Sequence, residues 1–113
     1  MNLVRHDRPD ACVVAASGRI DHASADNFLT SLQAIVASQR GESPLVLDLA
    51  GVDYISSAGL RALMVVARQV KSQGGRIGLA GLQPLVREVF SIARFELIVP
   101  CFDDLEAAIR GLD

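Results

Sequence analysis

The sequence predicts an α/β fold: a single domain over residues 1–113, with a mixed, largely parallel β-sheet packed with about four helices. Three observations lead there. β-Branched and aliphatic runs alternate with helix-period runs from residue 12 to the end, the order of strand–helix–strand units. The first two strand-like segments are joined by too short a connection for a parallel crossover, so that pair is antiparallel. Half of the residues are hydrophobic but only 4% are aromatic, which calls for an aliphatic core of Leu, Val, Ile and Ala. A chain of this length suffices for one such core.

The elements follow in order. "NLVRH" is short and partly alternating, an edge strand, and Arg8-Pro9-Asp10 is a turn signal. "CVVAASGRI" reads as a buried strand. "HASADNFLTSLQAIVASQRG" is helical, with Phe28, Leu32, Ile35 and Val36 on one face, Ser24 as a cap near its start and Gly41 at its end. "PLVLDLAG" is a second buried strand that Asp48 interrupts. "SSAGLRALMVVARQVKSQGG" is the next helix, stopped by Gly74 and Gly75. "RIGLAG" is a strand, and "QPLVREVFSIAR" a helix with Pro84 at its first position, where a missing N–H costs little. "FELIVPCF" contains the last strand, cut by Pro100. "DDLEAAIRGL" closes the chain as a helix, with Asp103 and Glu106 at capping-box spacing.

Charge and composition exclude several function classes. The net charge is -2, Lys71 is the sole lysine, and no basic block exists, so the footprint of a nucleic-acid binder is absent. The apolar runs are too short to span a bilayer, and the N-terminus has no signal-peptide core. The expectation is a cytoplasmic protein without direct membrane insertion. Cys12 and Cys101 sit among apolar residues and read as small buried hydrophobes rather than a disulfide. Two distant thiols and two histidines do not make a metal site, so no metal or other cofactor is expected.

The stretch "YISSAGL" carries the functional question: two serines, Ser56 and Ser57, stand where a strand turns into a helix. A hydrolase nucleophile elbow needs glycines two before and two after the serine; Ser57 has Gly59 after it but Ile55 before it. His22 beside Asp21 reads as a solvated loop pair rather than part of a triad, so no catalytic residue is assigned. "GGRIGLAG" lacks both the dinucleotide fingerprint and the Walker lysine pattern. The plain reading of Ser57, or Ser56, is a helix N-cap. The functional reading adds that a helix N-terminus, with unpaired N–H groups and partial positive charge, accommodates a phosphate.

Stepping the helix at about 100° per residue gathers Leu60, Leu63, Met64, Val66, Ala67 and Val70 on a core side. Ser57, Arg61, Val65 and Arg68 gather on another. Arg61 lies one turn from Ser57, within reach of a phosphate on it. Val65 is an apolar residue on a face expected to be wet, flanked by arginines, as a docking surface would be.

These residues resemble the STAS domain family, named for sulfate transporters and anti-sigma factor antagonists. "GRID" (Gly18 to Asp21) resembles the family's turn before the first helix. "LVLDLAGVDYISSAGLRAL" resembles its central signature, with Asp48, Gly59 and Leu60 as structural positions. "GGRIGLAGLQPLVREVF" and "FDDLEAAI" resemble its later segments, while "ARFELIVP" lacks the family's usual Gly-Leu. The resemblance implies a regulatory protein-binding module rather than an enzyme. It implies phosphorylation at Ser57, with Ser56, where many antagonists carry Asp, the lesser alternative. The implied partner is a serine kinase/anti-sigma factor of the histidine-kinase-like ATPase type, bound when the serine is unphosphorylated, with a phosphatase to reset the switch. The expected partner surface is Ser56, Ser57, Arg61, Val65, Arg68 and Asp21, with Ser57 also capping the helix. The alternative is a STAS accessory subunit of a lipid or anion transport system.

Overall fold

The computed structural model describes residues 1–39 and 43–113. The elements are β1 (Asn2–Arg8), β2 (Ala11–Ile20), α1 (Ala25–Ser38), β3 (Leu45–Ile55), α2 (Ser57–Ser72), β4 (Ile77–Ala80), α3 (Pro84–Ile92), β5 (Cys101–Phe102) and α4 (Leu105–Leu112). The strands lie across the sheet in chain order, β1 to β5. β1 pairs antiparallel with β2 and the other three pairings are parallel, the mixed sheet that the first short connection predicts.

Side-chain alternation along the strands assigns the two faces. Val14 and Ile20 of β2 and Leu45, Leu47 and Leu49 of β3 point to one side. There they meet Phe28 and Leu32 of α1, Leu63 and Val66 of α2, and Val86 and Phe90 of α3. Val13 and Val46 point to the other side, where α4 covers them with Ala108, Ile109 and Leu112. Three helices thus share one face and the short last helix takes part of the opposite one. The core is aliphatic with three buried phenylalanines, of which Phe90 and Phe95 meet with tilted rings, centroids 5.1 Å apart.

Local chemistry fixes the joints. α2 ends on Gly74, whose φ is 76; the Gly75 N–H donates to the Val70 carbonyl and the Gly74 N–H to that of Lys71. This is a Schellman ending, and it accounts for the Gly74-Gly75 stop. β3 is longer than the apolar run "PLVLDLAG" suggests and continues through Val52 to Ile55. Its pairing with β2 shifts register between Ala15 and Ser17. Asp48 serves that irregularity: its Oδ1 accepts the Ala50 N–H at 3.0 Å. A polar residue inside an apolar strand is therefore a backbone ligand at a bulge.

Of three local expectations, one falls outside the described residues, one is narrowed and one is corrected. The stop expected at Gly41 lies outside the described residues, and α1 already ends at Ser38. In "FELIVPCF" only Cys101 and Phe102, beyond Pro100, pair as a strand; Phe95–Leu97 form a 3₁₀ turn that buries Phe95 and leaves Leu97 81% exposed. The closing helix is capped by Asp104, which accepts the Ala107 N–H at 2.8 Å, not by an Asp103–Glu106 box. The helix starts one residue later than that box requires, and Glu106 instead accepts from Arg8 at 2.8 Å. Cys12 is buried and Cys101 half-buried, both as free thiols; burial pushes the Cys101 thiol up to about 11. Among the described residues no helix is long and apolar enough to cross a membrane.

Candidate functional site

The end of β3 and the start of α2 divide the two serines between two tasks. Ser56 keeps an extended backbone (φ -85, ψ 169). Its N–H donates to the Ile20 carbonyl at 2.8 Å, so it still belongs to the sheet. Its Oγ accepts the Gly59 N–H at 3.1 Å, so it also closes the first turn of α2. The cap is therefore Ser56, and the expectation that Ser57 caps the helix is corrected. The pairing with Ile20 holds Ser56 outside the helix, which makes Ser57 the first helical residue. Ser57 is exposed, and its hydroxyl makes no hydrogen bond among the described residues.

The turn is seated by a close approach. A Cβ at Gly59 would lie 2.8 Å from both Ile20 Cγ2 and Ile55 Cγ1. Glycine lets the helix start rest directly on the ends of β2 and β3, and half-buried Leu60 packs on the core beside it. Arg19 stacks over the Tyr54 ring at 4.3 Å and ties the same two strand ends on the outside.

Below Ser57 the helix presents the expected stripe. Arg61, Val65 and Arg68 are exposed while Ala62, Leu63, Val66, Ala67 and Val70 are buried. Leu60 and Met64, read as core, are half-buried at the margin. Neither Arg61 nor Arg68 has an ion pair among the described residues.

Asp21 sits differently from the rest of the expected surface. Its Oδ1 accepts the Ser24 N–H at 2.9 Å and the Ser24 hydroxyl at 3.0 Å, while its own N–H donates to Ser24 Oγ at 3.0 Å. These bonds, the Ser24 N–H foremost, hold the carboxyl below its ordinary range. Ser24 stands at the cap position but makes no side-chain cap bond; the reciprocal Asp21–Ser24 pair shapes the entry to α1 instead.

Sequence reasoning missed what lies beside the stripe. His22, Asp26 and Leu29 face Ala58, Arg61, Ala62 and Val65 across an open groove of about 260 Å³ between α1 and α2. Asp26 and Leu29 stand three apart in the helical period, which marks one face of α1. Only the tertiary pairing shows that this face flanks the stripe on α2. Among the described residues no group of three or more His, Cys, Asp or Glu side chains is placed to hold a metal ion.

Comparison with known proteins gives a consistent family. A family model for the STAS domain matches residues 2–108. A Bordetella bronchiseptica protein, BtrV, described as an anti-sigma factor antagonist, is 42% identical over 103 residues, covering 90% of this chain and 87% of its own. The crystal structure of an anti-sigma factor antagonist from Mycobacterium paratuberculosis superposes with a TM-score of 0.87 at 24% identity, over 98% of this chain and 92% of that one. The Bacillus cell fate determinant SpoIIAA, solved in its phosphorylated form, superposes with a TM-score of 0.71 at 15% identity, over 99% of this chain and 100% of that one. The last two are likenesses of fold.

Proposed function

The chain belongs to the STAS domain family, and from that premise we propose that it is an anti-sigma factor antagonist working by partner switching. In its unphosphorylated state it binds a serine kinase/anti-sigma factor of the histidine-kinase-like ATPase type. Phosphorylation of Ser57 by that kinase ends the complex, and a phosphatase restores it. The chain itself acts as a regulatory binding module in the cytoplasm, not as an enzyme. The 42% identity to a protein described as an anti-sigma factor antagonist supports this reading over a transport-subunit role.

One observation carries the choice of Ser57: its hydroxyl is exposed and unbonded while Ser56 performs the capping. A phosphate on Ser57 adds about -1.5 to -2 charges. It would stand at a helix start, where negative charge is favourable, so the fold survives. A partner surface closed over Ser57 would have to desolvate that dianion, so the complex does not survive. The switch therefore acts on the interface and spares the domain.

The test is incubation with the histidine-kinase-like ATPase encoded nearest its gene, with ATP, followed by fragmentation mass spectrometry of the peptide holding both serines. Phosphate on Ser57, and loss of the complex on native gel filtration, is the expected result. Phosphate confined to Ser56, or a complex that survives phosphorylation, overturns the reading.

A further inference from the structure

The charge on α2 is one-sided. Over Ser57–Ser72 the helix carries Arg61, Arg68 and Lys71 and no acidic residue, on a chain whose net charge is -2. Lys71 is engaged, its Nζ donating to the Ile98 carbonyl at 3.0 Å. Arg5 pairs with Asp7, Arg8 with Asp10 and Glu106, and Arg87 with Asp103, while exposed Arg19, Arg94 and Arg110 have no ion pair among the described residues. Arg61 and Arg68 likewise have no ion pair among the described residues, and they share one face of one helix. Seven residues apart on one helix, they stand about 10 Å apart along its axis.

Between these two cations on the helix lies Val65, beside a groove that Arg61 lines and Arg68 does not. Val65 is 40% exposed, the highest value among the large apolar side chains of α2. It lines the groove together with Ala58 and Ala62 of α2 and Leu29 of α1. A volume of about 260 Å³ admits one large side chain. Asp26 stands on the α1 rim opposite Arg61, so the two rims differ in sign.

We propose that this face docks a partner protein segment bearing one large apolar side chain flanked by carboxylates. The apolar group enters the groove against Val65 and Leu29, and the carboxylates meet Arg61 and Arg68. Asp26 repels a carboxylate on the α1 rim, which fixes which way the segment lies. This rests on the partner-switching reading for the identity of the partner, and it states that partner's chemistry. It also gives the phosphate a second action. A dianion on Ser57 sits one turn from Arg61, so it both repels an acidic segment and competes for the cation that the segment needs.

Two measurements test this on the full chain. The first uses a synthetic helical peptide with two glutamates seven residues apart around one leucine, and an analogue with lysines in place of the glutamates. Isotope-labelled protein is titrated with each and followed by amide chemical shifts. The acidic peptide should move Leu29, Ala58, Ala62 and Val65 and bind at least about tenfold tighter than its analogue, a preference that Arg61→Gln/Arg68→Gln removes. Equal binding of the two peptides, or shifts centred elsewhere, overturns the proposal. The second uses the ATPase named above. If it binds the wild type and the double variant equally, the proposal fails while the partner-switching reading stands. If it does not bind the wild type, that reading fails and the peptides alone decide this one.

Discussion

Gly59 rests against Ile20 so closely that a single added carbon would stand 2.8 Å from the Ile20 Cγ2. Ile20 and Ile55 are buried and β-branched, so neither yields easily. Gly59→Ala should therefore destabilise the domain by about 1–2 kcal/mol, although alanine is the better helix former by about 1 kcal/mol. Urea denaturation of both proteins measures it. A variant as stable as the wild type would show that the seat of α2 can shift at little cost.

The two serines should separate in stability measurements. Ser56→Ala loses the bond to the Gly59 N–H and should cost about 1 kcal/mol. Ser57→Ala should stay within about 0.5 kcal/mol of the wild type. Ser57→Asp places a carboxylate in a first turn that has no acidic residue and should be neutral or gain about 0.3–1 kcal/mol. Thermal unfolding of the three variants checks all of this. If Ser57→Asp is the worst of them, Ser57 is a structural residue and the phosphoswitch has no physical basis.

Asp21 should set part of the acid sensitivity. Its carboxyl is held below the ordinary 3.8 by the Ser24 N–H and then the Ser24 hydroxyl. A carboxyl depressed in the folded state stabilises above its unfolded pKa, and that contribution is lost as pH falls through the folded value. Asp21→Asn should thus be less stable at neutral pH, and the difference should close as pH drops below 3.8. A difference independent of pH would assign the loss to geometry and not to ionisation.

Arg94 is the sole non-glycine residue with positive φ (56) among the described residues. It stands in the "ARFELIVP" segment that departs from the family's glycine. The left-handed conformation costs a side chain about 1–2 kcal/mol, and glycine returns about 0.4–1 kcal/mol of that to the unfolded chain. Arg94→Gly should gain up to about 1 kcal/mol in a thermal melt. A loss would mean that the arginine side chain contributes more than its backbone costs.

What the sequence revealed depended on how each signal is encoded. The stripe of Arg61, Val65 and Arg68 was legible because helical periodicity is local and sixteen residues sample it well. The mixed sheet with its one antiparallel pair was legible from alternation and one short turn, and the strand order was not. Caps were missed by one residue, at Ser57 for Ser56 and at Asp103 for Asp104, because adjacent residues of equal capping ability leave the choice to tertiary pairing. The bond from Ser56 to Ile20 makes that choice for α2. The last strand shrank to two residues because an apolar run does not reveal whether its side chains fill a ladder or a 3₁₀ turn. The groove was invisible because its two walls lie about thirty residues apart in the chain.

The strands run across the sheet in chain order from β2 to β5, so successive crossovers all advance in one direction. With right-handed crossovers, that is what sets α1, α2 and α3 on one face. In a doubly wound sheet, neighbouring crossovers diverge to opposite faces, and the crevice at that switch point is where small ligands settle. No reversal occurs between β2 and β5, so the topology digs no such crevice at the carboxyl ends of the strands. What those ends carry instead is an exposed rim, formed by Ser57 and the start of α2. A rim is read from outside, by something large enough to lie against it.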